Sequence, residues 1–121
     1  MRIYWITAVL FTLTACSSPS HSKVLESRSG QASWYGSYHQ GKPTASGERF
    51  NQHELTAAHR TLPFGTKVKV TNTISNKSVT VRINDRGPYT KGRVIDLSRA
   101  AAQEINLVNR GVAPVRLQVL R

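Results

Sequence analysis

The chain has 121 residues and a formal charge of +11, with seventeen Lys and Arg against six Asp and Glu. Its single Cys excludes an internal disulfide framework, and its length allows one small core and not two. The basic excess attracts polyanions in general, but Lys67, Lys69, Arg82 and Arg116 are spread along alternating segments instead of massed in a helix or a Lys/Arg run, which argues against a nucleic-acid partner.

In chain order, Arg2 followed by the apolar run Ile3 to Phe11 reads as a signal-peptide start, too short for the roughly 20 residues of a membrane span. Leu13-Thr14-Ala15-Cys16 then resembles the bacterial lipobox, in which the Cys is lipidated and becomes the first mature residue. The alternative is ordinary cleavage after Ala15, with Cys16 an incidental thiol. The Ser-rich stretch Ser17 to Ser29 has no apolar period and reads as a flexible tether spanning at most about 45 Å. The expected organisation is therefore a leader over 1–15, a lipidated Cys with its tether over 16–29, and one domain over 30–121.

Within that domain, Gln31 to Tyr35 predicts a strand carrying Trp34 and ending at Gly36. Thr66 to Asn72 and Ser78 to Ile83 alternate with Val68, Val70, Val79, Val81 and Ile83 inward, and Ile74 to Lys77 between them predicts a hairpin turn with Asn76 at its tip. Asn84-Asp85-Arg86-Gly87-Pro88 follows directly. It sets a carboxylate at the end of a strand, beside a guanidinium and a Gly-Pro bend, where binding and catalytic groups are often held. Asp85 could equally cap that turn. Ser98 predicts the N-cap of a helix through Ile105, and Pro114 to Leu120 a last strand with Val115, Leu117 and Val119 on one face. Short strands, turn signals and one helix point to a mainly β fold, closed into a small barrel that leaves no open edge.

Five segments, taken in order, carry a family resemblance: Gly30 to Gly36, Thr44-Ala45-Ser46-Gly47-Glu48-Arg49-Phe50, Leu55 to Gly65 with Ala57-Ala58-His59, the Asn84 to Pro88 turn, and Gly92 to Ser98 with Ile95-Asp96-Leu97. Together they resemble the rare lipoprotein A family of bacterial envelope proteins, over essentially all of 30–121. The resemblance implies a six-stranded double-psi β-barrel with one or two short helices. It implies a substrate, the peptidoglycan glycan strand, and a reaction, endolytic cleavage by lytic transglycosylation to 1,6-anhydro-muramic ends. It also implies a place in the cell envelope, lipid-anchored through Cys16. Ser17 after the Cys matches the signal for the outer membrane of a Gram-negative cell, so the expected station is its periplasmic face. Other cell-wall or division proteins are further candidate partners. Some family members bind glycan without detectable cleavage, so a non-catalytic wall-binding lipoprotein is the alternative, and an endoglucanase-type hydrolase a third.

By the same resemblance Asp85 matches the family's catalytic aspartate, Glu48 its second essential acid and His59 its active-site histidine. Asp85 is expected as general acid and then base, Glu48 to support developing charge or tune Asp85, and His59 to orient the sugar or hydrogen-bond a carboxylate. Without the family match, Glu48 reads as a solvated turn residue and His59 as a packed strand histidine. Tyr35 and Tyr38 are candidate platforms for a sugar face, while Trp34 reads as core. Arg86 is expected either to hold a substrate carboxylate or to pair with Asp85 or Asp96. Asp96 is either a third acid in the groove or a support for the Ser98 helix start or for Arg93. No metal site is expected, because His39, His53 and His59 form no close ligand pair and there is no second Cys. No cofactor is expected, because no phosphate-cradling loop occurs. Many family members carry a second, glycan-binding domain, and the sequence runs only one residue past its last expected strand.

Overall fold

The computed structural model describes residues 24–121; the leader, Cys16 and the start of the tether lie outside the described residues. Six strands form a closed barrel in the order β1-β5-β2-β4-β3-β6. They are β1 (Val24–Trp34), β2 (Thr56–Ala58), β3 (Lys67–Asn72), β4 (Ser78–Asp85), β5 (Arg93–Leu97) and β6 (Ala113–Leu120), with one α-helix, α1 (Arg99–Glu104), and a 3-10 turn at Ser37–His39. Two pairings are parallel, β1 with β5 and β2 with β4, and the remainder antiparallel.

The alternation seen in the sequence fills the interior. Val68 and Val70 from β3, Val79, Val81 and Ile83 from β4, and Val115 and Leu117 from β6 are all buried, joined by Ile95, Leu97, Ala32 and Ala57. Trp34 packs against this core, as its surroundings suggest. The β3–β4 connection turns through Asn76 at φ 61°, a left-handed conformation that Asn tolerates. At α1, the Ser98 hydroxyl accepts from the Ala101 amide at 3.3 Å and donates to the Glu54 carbonyl at 2.5 Å, so one side chain caps the helix and ties it to the segment before β2.

Strand β1 departs from expectation by starting at Val24. Residues 24–29, expected as tether, pair antiparallel with β6, from Val24 opposite Leu120 to Ser29 opposite Arg116. All six are exposed, so backbone pairing rather than side-chain burial holds them, and such pairing leaves no apolar alternation to read. Strands β2 and β5 are new as well. Each is short, and its partners are distant in sequence.

Besides a register shift at Val24/Glu26 in the β1–β6 pairing, two others shape the barrel wall around the site. In β5, Val94 is the extra residue between the partners of Gln31 and Ala32. Its side chain lies over Gly30, where a Cβ would stand 2.3 Å from Val94 Cγ1. Gly30 is thus required by close approach. Gly30→Ala is expected to destabilise the barrel by about 1–3 kcal/mol through overpacking. Urea unfolding checks it, with Val94→Ala restoring most of the loss in the double variant; an unchanged midpoint in Gly30→Ala would refute the clash.

Candidate active site

The second register shift makes the site. Ile83 pairs with Ala57, but the next residue of β2, Ala58, pairs with Asp85, leaving Asn84 as the extra residue of a β-bulge. Strict alternation after Val79, Val81 and Ile83 would send Asp85 into the core. The bulge instead sets both Asn84 and Asp85 against the loop 44–48. The Asp85 Oδ1 accepts from the Ala45 amide at 2.9 Å and from the Arg86 amide at 2.8 Å. Oδ2 accepts from the Tyr35 hydroxyl at 3.1 Å. Burial first, then the charge and hydrogen bond of Asp85, push the Tyr35 phenol far above its ordinary range, so it keeps its proton and remains a donor.

Glu48 sits in the same loop, which closes tightly as the Thr44 amide and hydroxyl both donate to the Glu48 carbonyl. Gly47 completes the turn at φ 92°. The Glu48 carboxylate spans two side chains of β4, accepting from Arg82 Nη1 at 2.9 Å and from Asn84 Nδ2 at 2.5 Å. Arg82 also lies 3.8 Å from Glu54. The hydrogen bond from Arg82, then that from Asn84, hold the Glu48 carboxyl below its ordinary value despite some burial. Glu48 is therefore a fixed negative charge, and it is separated in bonding from Asp85, with which it shares only the loop and the bulge.

Asp96 extends the row. It is the partner of Ala58 on β2 and of Ser33 on β1, so Asp85, Ala58, Asp96 and Ser33 cross four adjacent strands on one face. The two aspartates flank Ala58, two strand spacings apart, or about 10 Å between backbones. The Ser33 hydroxyl donates to Asp96 Oδ1, and Arg93 Nη1 reaches Ser33 Oγ at 3.4 Å rather than Asp96 itself. Asp96 neither pairs with Arg93 nor caps α1 among the described residues.

His59 is brought next to Asp85 only through the backbone, its amide donating to the Asp85 carbonyl at 3.2 Å. The imidazole is buried. Its Nδ1 accepts from the amides of Thr61 and Leu62 at 3.2 and 3.1 Å, which fixes the proton on Nε2. Burial, then the charges of Arg28 and Arg86, hold it below its ordinary value and neutral. It hydrogen-bonds no carboxylate among the described residues.

Two sequence expectations change in detail. Arg86 pairs with neither aspartate. Its Nη1 donates to the carbonyls of His59 and Leu62 at 3.2 and 2.8 Å, and its guanidinium lies 4.0 Å over the Phe64 ring. Arg60 answers from the other side, donating to the carbonyls of Pro88 at 2.6 Å and Arg93 at 2.8 Å. The two arginines thus clasp the loops on either side of Asp85. Tyr35 is no open platform: its ring meets Phe50 edge-on at 4.9 Å and packs with His39 at 5.1 Å. Tyr38 is open, 78 % exposed, although Lys42 Nζ lies 3.4 Å over its ring. Two residues went unnoticed in the sequence. Asn84 joins Glu48 to the bulge and leaves its own buried Oδ1 without a partner among the described residues. Tyr89, directly after the Gly-Pro bend and 76 % exposed, is a second open aromatic surface, its ring next to Gly87.

A barrel of this strand order, with carboxylates held on its outer face, defines the class. The chain belongs to the lytic transglycolase family of double-psi β-barrel domains, whose match runs over residues 27–117. Among curated relatives, the probable endolytic peptidoglycan transglycosylase RlpA of Nostoc sp. is 58% identical over 101 residues, covering 82% of this chain and 27% of the relative. The endolytic peptidoglycan transglycosylase RlpA of Campylobacter jejuni is 53% identical over 102 residues, covering 84% and 37%. That of Vibrio cholerae is 53% identical over 92 residues, covering 76% and 35%. The chain thus spans roughly a third of the length of these relatives. In solved structures the fold recurs in the Streptomyces papain inhibitor, with TM-score 0.66 and 21% identity, covering 84% of this chain and all of that one. It recurs again in the Clavibacter michiganensis expansin, with TM-score 0.63 and 22% identity, covering 79% and 51%.

Because the fold favours ionised Glu48, its stabilisation is complete above the ordinary value of 4.5 and is lost as pH falls below it. Glu48→Gln is therefore expected to flatten the decline of stability on the acid side of pH 4.5, measured by urea midpoints across pH. Superimposable acid limbs for the two proteins would refute the Arg82–Glu48–Asn84 linkage.

Proposed function

We propose that this chain is a peptidoglycan lytic transglycosylase that cuts glycan strands internally and leaves 1,6-anhydro-muramic ends. The observation that carries the reading is the bulge at Asn84, which turns Asp85 out of the core and fixes its carboxylate against Tyr35 and the Ala45 amide. Membership of the lytic transglycolase family supports it, as do the names of the relatives.

The chemistry needs one proton carrier. Asp85, protonated, delivers its proton to the bridging oxygen as the bond from that oxygen to the muramic C1 breaks. The muramic 6-hydroxyl oxygen then bonds to C1, and its proton returns to the Asp85 carboxylate. No water is consumed, and Asp85 ends in the state in which it began. Glu48, kept ionised by Arg82 and Asn84, contributes negative charge as positive charge develops on the sugar. Tyr35 holds the Asp85 carboxylate in place. His59 fixes the turn at Thr61 and Leu62 whose carbonyl Arg86 takes, and so positions the residue after Asp85. Asp96 and the exposed rings of Tyr38 and Tyr89 are the groups offered to the glycan beyond the scissile bond.

Asp85→Asn is expected to lower release of anhydro-muramic fragments from denuded peptidoglycan by at least about a hundredfold, read by mass spectrometry of the products of the full chain. Undiminished release would remove Asp85 from the reaction. A second reading, glycan binding without cleavage, draws on the three hydrogen bonds that already occupy the Asp85 carboxylate. Retained glycan pull-down with no fragments from the unaltered chain would assign the groove to binding.

The same proposal takes residues 1–15 as a leader and Cys16 as the lipidated first residue of the mature protein, on the strength of Leu13-Thr14-Ala15-Cys16. The lipid would hold the domain at the periplasmic face of an outer membrane, within reach of the wall and its other proteins. Cys16→Ser is expected to move the protein from the membrane fraction to the soluble one. An unchanged membrane fraction would refute the anchor.

A further inference from the structure

Where the middle of β1, the bulge of β5 and the segment after β2 converge lies a half-open cavity of about 240 Å³ lined by Arg28, His59, Arg60, Thr61 and Val94. Its polar lining consists of donors. The His59 ring has spent Nδ1 on the amides of Thr61 and Leu62, so its N–H is Nε2, which meets no acceptor among the described residues. Arg28 pairs with Glu26 through Nε alone, leaving both terminal nitrogens free among the described residues. Arg60 uses Nε and Nη2 on the carbonyls of Pro88, Thr90 and Arg93, leaving Nη1. The Thr61 hydroxyl makes no hydrogen bond among the described residues. No carboxylate is among the lining residues, although Glu26 stands beside them on Arg28 and its charge reaches His59, and Val94 gives the cavity one apolar wall.

Spare donors on two guanidinium groups, an imidazole and a hydroxyl around a half-open space match an oxygen anion that accepts several hydrogen bonds at once. The size is below that of a typical drug-like site and suits a fragment rather than a sugar ring pair. From these donors and the Val94 wall, we infer that the cavity is a carboxylate subsite, taking a carboxylate whose α-carbon bears a small apolar group. On the peptidoglycan reading, that chemistry has two sources, the lactyl group of muramic acid and the C-terminal D-alanine of a stem peptide. The subsite adjoins the reacting centre through shared backbone, since the His59 amide donates to the Asp85 carbonyl and Arg60 grips the loop that follows Asp85. Occupancy would thus sense which glycan unit is presented to Asp85.

The test follows the backbone amides of Arg28, Thr61 and Val94 by NMR in the full chain during titration with three probes. These are N-acetylmuramic acid, N-acetyl-D-alanine and N-acetyl-D-alanine amide. At least one carboxylate probe is expected to give saturable shifts at these amides, with the uncharged amide about tenfold weaker or more. Arg28→Gln, at an exposed position that leaves the core untouched, is expected to weaken the carboxylate by about tenfold, and Arg28→Lys by less. The tighter of the two carboxylates identifies the source. No saturable shift with either, equal binding of the amide, or undiminished affinity in Arg28→Gln would overturn the subsite. Carboxylate binding that persists while the full chain releases no anhydro product would sink the transglycosylase reading and leave the subsite standing.

Discussion

One inserted residue governs this molecule. Along β4 the period of two that buries Val79, Val81 and Ile83 would also bury the next odd residue, and a carboxylate in that core would be an unpaired buried charge. Asn84 breaks the period. With two β4 residues opposite one on β2, Asp85 emerges beside Asn84, where backbone amides and a phenol can meet it. The interior keeps its apolar row, the outer face gains an acid, and neither requirement compromises the other.

Everything near the bulge is arranged to hold that displacement. The loop 44–48 docks on β4 through the Ala45 and Ser46 amides and through Glu48, whose two oxygens take Arg82 and Asn84. On the other side, Arg60 and Arg86 reach across to each other's loops and donate to main-chain carbonyls. Guanidinium groups suit that work because they carry several donors in a fixed plane and never lose their charge. The large basic excess is therefore partly structural: in a domain built of short strands and long connections, arginines satisfy carbonyls that no ladder reaches.

The wall that carries Asp85 has two chemically distinct sides. Outward lies a row with two aspartates, and exposed tyrosines stand in the loops nearby. Past β2, towards Val94 and the middle of β1, lies a half-open cavity of donors around a neutral histidine. His59 belongs to the second side and Asp85 to the first, although the two share a backbone hydrogen bond. On the function proposed above, the acid would meet the glycosidic oxygen of a carbohydrate polymer and the donors its carboxylates.

The chain's alternation determined a good deal without any structure. Val68, Val70, Val79, Val81, Ile83, Val115 and Leu117 marked three strands and the core between them, because a side-chain period of two is written in adjacent residues. Ser98 marked its helix and Asn76 its turn for equally local reasons. The blocks around Glu48, His59 and Asp85 marked the candidate site as sequence motifs. What those side chains do to each other was decided by tertiary structure. Residues 24–29 form a strand only because β6 lies beside them, and β2 and β5 exist only as partners in a closed barrel. Arg86 turned to carbonyls, Tyr35 to Asp85, and His59 to the far side of the wall, because their partners lie on other strands and loops. Local sequence carries the period of a strand; the register between strands far apart in the chain, and with it the bulge that exposes Asp85, is set only when the barrel closes.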